Sequence, residues 1–69
     1  MKDKDLFIDM YLLITSAYDE VSRHKAMQIT IDRYNSFLKK HKDDQKAVED
    51  ALMNETLLLR LGQNLEYLR

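Results

Sequence analysis

Apolar residues recur at three- and four-residue steps along nearly the whole chain, and the pattern separates into three stretches. In the first, Leu6, Phe7, Met10, Leu13, Ile14, Ala17 and Val21 fall on one stripe, which predicts a helix over about residues 4–22. Ile8, Tyr11 and Leu12 widen that stripe. A helix apolar around so much of its circumference needs cover on more than one side, so helix one is expected to be the central element.

The second stretch, Met27, Ile31, Tyr34, Phe37 and Leu38, predicts a helix over about residues 25–41. A break from helix one is expected near residues 22 to 25, with Ser22 as the N-cap. Lys25 stands where a capping box would place an acid, so the boundary carries only half of that signature. The strand-like "QITI" at Gln28 to Ile31 lies inside this helical pattern and is read as helix. The turn that follows is clearer. Lys39, Lys40, His41 and Lys42 suit a helix C-terminus, and Asp43 and Asp44 suit the N-terminus of the next helix, each contributing about 0.3–1 kcal/mol through the helix dipole.

The third helix is predicted over about residues 44–69. Ala47, Ala51, Asn54, Leu58, Leu61, Leu65 and Leu68 alternate at steps of four and three, a seam suited to shallow left-handed packing. Asn54 is either a polar insertion that fixes register in that seam or the edge of a wider stripe. Helix three at about 26 residues spans about 39 Å, against about 25 Å for a helix two of about 17 residues. The difference leaves Leu61, Leu65 and Leu68 overhanging. Burial of one leucine contributes about 1.5–3 kcal/mol, so an exposed row of them favours association. The expected contact surface is Ala51, Asn54, Leu58, Leu61, Gly62, Leu65, Tyr67 and Leu68, with Tyr67 as an anchor whose hydroxyl stays wet. Gly62 should cost about 1 kcal/mol relative to alanine in mid-helix, so close approach of a neighbouring helix is expected there.

The expected fold is therefore all-α over a single domain, residues 1–69. It is a three-helix bundle, or a helical hairpin with a long C-terminal helix, completed by homodimerisation. Composition agrees with helix: proline is absent, Gly62 is the only glycine, and hairpin punctuation is missing. Sixty-nine residues usually supply only about 3–5 kcal/mol from one core. With no cysteine, disulfides and Cys-based zinc sites are excluded as supports, which leaves ideal helix packing or oligomerisation. The N-terminal "MKDKDLFIDMYLLITSA" is not read as a signal peptide, because Asp3, Asp5 and Asp9 break its basic and apolar regions. No run approaches the roughly 20 apolar residues of a membrane span, and a cytoplasmic location is expected. The lysine, aspartate, isoleucine and asparagine usage suggests an AT-rich microbial or phage origin.

Charge adds a second candidate surface. Residues 1–20 carry two lysines against five acids, residues 21–42 six basic residues against one acid, and residues 43–69 three against six. An acidic, basic, acidic order lets the middle helix lie between partners of opposite sign. The sharper reading makes Arg23, Lys25, Arg33, Lys39, Lys40 and Lys42 a phosphate-contacting face for nucleic acid, against which the flanking acids and the overall charge of −1 count. Candidate chemistry is sparse. Glu20 with His24 and His41 with Asp44 are surface pairs rather than ligand sets, and Ser16, Ser22 and Ser36 lack a neighbouring His or a glycine elbow. No catalytic, metal or cofactor residues are assigned. The sequence is thus expected to encode a non-enzymatic helical module that binds itself and a protein partner, with nucleic acid as the alternative.

Overall fold

The computed structural model describes residues 3–67, with side chains from Asp5 onward. Three α-helices follow in order: α1 over Asp3–Thr15, α2 over Glu20–Lys40 and α3 over Gln45–Tyr67. Short turns at residues 16–19 and 41–44 fold them up, down and up into a rod of 40 × 15 × 15 Å. All three pairs of helices touch, and the α2–α3 contact is the most extensive. The all-α, three-helix expectation holds. The boundary between the first two helices does not.

Helix one stops at Thr15, seven residues short of the expected end. Thr15 Oγ1 donates to the Tyr11 carbonyl at 2.9 Å and Ser16 Oγ to that of Leu13 at 3.1 Å, while the Ser16 and Ala17 N–H groups bond the Leu12 and Ile14 carbonyls at 3.0 and 3.3 Å, so side-chain and backbone donors together close the helix end. Asp19 then opens α2. Its backbone is extended (φ −125°, ψ 171°), and its carboxylate accepts from the Ser22 N–H at 2.7 Å. The cap is therefore Asp19, with Ser22 as the residue it satisfies and Glu20 favourably placed in the first turn. Val21, assigned by periodicity to the helix-one stripe, is exposed on α2.

The second turn forms as expected. Lys39 and Lys40 occupy the last turn of α2, and the His41 N–H bonds the Phe37 carbonyl at 2.9 Å. Asp44 caps α3 by accepting from the Ala47 N–H at 3.1 Å. Inside α2, the "QITI" segment is helical, and Thr30 turns its hydroxyl back to the Ala26 carbonyl at 2.9 Å, which satisfies it where it is fully buried.

The core comprises Leu6, Met10 and Ile14 of α1, Ala26, Tyr34 and Phe37 of α2, and Ala51 and Leu58 of α3. Phe7, Leu13, Leu38, Ala47, Leu61 and Leu65 pack around it. Gly62 is buried in the middle of a continuing helix with no left-handed backbone. A Cβ at that position would stand 2.8 Å from Met27 Sδ and 3.1 Å from Met27 Cγ. The close approach expected at this glycine is made by the Met27 side chain of α2.

This contact gives a prediction that depends on the background. Gly62→Ala is expected to change the stability of the chain by less than about 1 kcal/mol, because moving the flexible Met27 side chain offsets part of the gain in helix propensity. In a Met27→Ala background the same substitution should stabilise by about 1 kcal/mol, the propensity gain alone. Urea unfolding of the four proteins in the cycle reads both values.

Candidate functional site

The early start of α2 changes what the C-terminal seam does. At 21 and 23 residues, α2 and α3 are nearly matched, so the expected overhang of several turns is absent. Ala51, Leu58 and Gly62 are buried inside the chain, against α1 and α2 rather than a second molecule. Asn54, Leu61 and Leu65 are half-buried, and the two leucines pack on the core. Tyr67 is 91% exposed. Leu68 lies outside the described residues.

Apolar surface is left open elsewhere. On α1, Ile8, Tyr11 and Leu12 are 45%, 44% and 58% exposed, so this helix is covered on one side only and is not the central element. Phe7 and Tyr11 stack with ring centroids 6.2 Å apart, which fixes Tyr11 at the boundary between core and surface. On α3, Leu52, Met53 and Leu57 are exposed. At about 100° per residue, Met53, Leu57 and Tyr67 share one sector of roughly 80° on the outside of α3. The sequence signal for the α1 patch was the excess width of its apolar stripe. A wide stripe tells how much apolar surface a helix carries, but not whether its own chain covers it.

The basic residues divide. Lys25, Arg33, Lys39, Lys40 and Lys42 are exposed, but Arg23 is only 4% exposed and cannot contact a phosphate in this fold. Its Nη2 donates to the Ala17 carbonyl at 2.9 Å, tying the first turn to α2, while Nε and Nη1 are buried without a hydrogen-bond partner. Arg33, Ser36 and Lys40 line one face of a cleft with Leu6, Phe37 and His41. The His41 ring lies 4.4 Å from that of Phe37.

Two carboxylates have a buried oxygen without a partner, Glu55 Oε2 and Glu66 Oε1. Burial pushes the Glu55 carboxyl above its ordinary value of 4.5. His24 is exposed, and His41 is placed by Phe37 rather than by an acid. Among the described residues no three His, Cys, Asp or Glu side chains converge to hold a metal ion, and no helix is long and apolar enough to cross a membrane.

Arg23 and Glu55 each give an expected outcome. Arg23→Met keeps the buried stem and removes a charge with two unmet donors, so it should stabilise by about 1 kcal/mol. Arg23→Ala removes the stem as well and should destabilise by about 1–2 kcal/mol. Thermal unfolding separates the two. For Glu55, the raised folded-state value means that ionisation is harder in the fold than in the unfolded chain. The resulting loss of stability is absent below the unfolded value, grows as pH rises through the two values, and is constant above the folded one. Glu55→Gln should therefore raise the unfolding midpoint at about pH 7 and not at about pH 3.

Comparison with known proteins adds no assignment to this geometry: no protein family, no curated protein and no solved structure matches the chain.

Proposed function

We propose that the chain is a small cytoplasmic, non-enzymatic helical interaction protein that self-associates, with the outside of α1 and the outer sector of α3 beside its seam as contact surfaces. The observation that carries this reading is the exposure of Ile8, Tyr11 and Leu12 on α1 and of Met53 and Leu57 on α3. In so small a protein, five partly exposed large apolar side chains on two helices leave apolar surface that association can remove from water. Within the seam, the half-buried Asn54 and Leu61 border Leu57 and can be covered with it, whereas Ala51, Leu58 and Gly62 are already covered. The mechanism is occupancy: a helical face completes a bundle with a second copy, and the same face can take the groove or helix of another protein.

Charge supplies a discriminating feature. Asp5 and Asp9 on α1 and Glu49 and Asp50 on α3 are exposed acids, while Lys46 and Arg60 are exposed cations on the same sector of α3 as Met53 and Leu57. With charges of both signs around the apolar positions, association held by apolar burial should change little with salt. Nucleic-acid binding differs, because it releases counterions and weakens as salt rises. That second reading is supported by the five exposed basic residues Lys25, Arg33, Lys39, Lys40 and Lys42.

Light scattering after gel filtration should report a dimer at micromolar concentration, at low and at high salt alike. Leu57→Asp, at a half-exposed position that the fold does not need, should weaken the dimer about tenfold or more and leave the helical circular dichroism intact. Lys40→Ala should leave the mass unchanged. A monomer at every concentration and salt overturns the proposal.

A further inference from the structure

We propose that the cleft between the start of α1 and the last turns of α2 binds a small phosphomonoester whose phosphate is carried on an apolar or aromatic body. Three features of the cleft support this. Its cations sit on one helical face: Arg33 and Lys40 are seven residues apart on α2, about two turns or roughly 10 Å along the axis, with Ser36 between them. Its floor is apolar and aromatic, formed by Leu6 of α1 and Phe37 of α2, with the His41 ring tilted 33° to that of Phe37 at its edge. And the cations are not engaged: among the described residues neither Arg33 nor Lys40 has an ion-pair partner.

The chemistry of this lining is selective. Two neighbouring cations match a dianion better than a monocarboxylate, and Arg33 can present a bidentate fork to phosphate oxygens. The Ser36 hydroxyl can donate to the same group. Among the described residues no carboxylate lines the cleft. Asp9 shares the adjoining cleft with Arg33 and competes for that residue. The apolar floor is what separates a small organic phosphate from inorganic phosphate: the edges of Leu6 and Phe37 and the His41 ring border a cleft of about 140 Å³, room for one small ring. A nucleic-acid backbone would instead engage Lys25 and Lys39 as well, since it tracks charge along a surface and does not need the floor.

The test is an amide-resolved NMR titration of the full chain with three probes: phenyl phosphate, inorganic phosphate and benzyl alcohol. The expected result is a saturable shift centred on Leu6, Ser36, Phe37 and His41, with phenyl phosphate binding about tenfold more tightly than either half-probe. The double variant Arg33→Gln/Lys40→Gln, at exposed positions that leave the core untouched, should lose about tenfold in affinity, while Arg60→Gln on exposed α3 surface should lose none. No saturable shift, equal binding of the two phosphates, or an equal loss in Arg60→Gln overturns the proposal. So does tighter binding of a short oligonucleotide with shifts extending to Lys25 and Lys39, which would assign the cations to nucleic acid.

Discussion

The contact between Met27 of α2 and Gly62 of α3 is the one on which the rest of the arrangement depends. Because α2 begins at Glu20, Met27 stands two turns into that helix, and its side chain lies against Gly62 of α3. With its cap at Asp19, α2 nearly matches α3 in length, and Leu58, Leu61 and Leu65 of the leucine-rich segment pack within the chain while Leu57 and Tyr67 stay exposed. A later start would have left the same leucines in water. Five residues of helix at one boundary thus decide whether the seam stabilises the monomer or requires a second chain.

The chain accepts polar groups inside this small bundle, and each has a local reason. Thr30 is satisfied by its own helix, and Arg23 ties the first turn to α2 through a single bond to Ala17. Glu55 and Arg23 nevertheless retain buried atoms without partners, which in a domain with a few kcal/mol of stability is a considerable burden. The apolar faces of α1 and of the outer side of α3 remain in water, so neither the polar nor the apolar balance of the isolated chain is ideal. Association relieves the second of these conditions, which links the packing to the proposed role.

Much of the fold was legible in the residues. The turn at His41 to Asp44 reads directly because basic residues, then aspartates, satisfy the two ends of adjoining helices. Gly62 signals a close contact because nothing else justifies a glycine in mid-helix. The first turn was harder, since Thr15, Ser16 and Asp19 end and restart helices through side-chain hydrogen bonds, while periodicity runs on through Ala17 to Val21. Asp19 followed by Glu20 was the available signal, and Ser22 competed with it. The seam illustrates a different limit. Its spacing shows that Ala51, Leu58 and Leu61 share a face, but the partner of that face depends on the length of another helix. Arg23 fails as a phosphate contact for a related reason, because its face of α2 turns inward with Ala26 and Thr30.

The central claim is that the C-terminal seam closes within one chain, leaving α1 and the flank of α3 as the surface open to partners. Nuclear Overhauser contacts between the Met27 methyl and the Gly62 α-protons test it directly, in a sample mixing isotope-labelled and unlabelled chains. The account requires these contacts within a single chain and unchanged by dilution. Contacts found only between labelled and unlabelled chains, or not found at all, would contradict it.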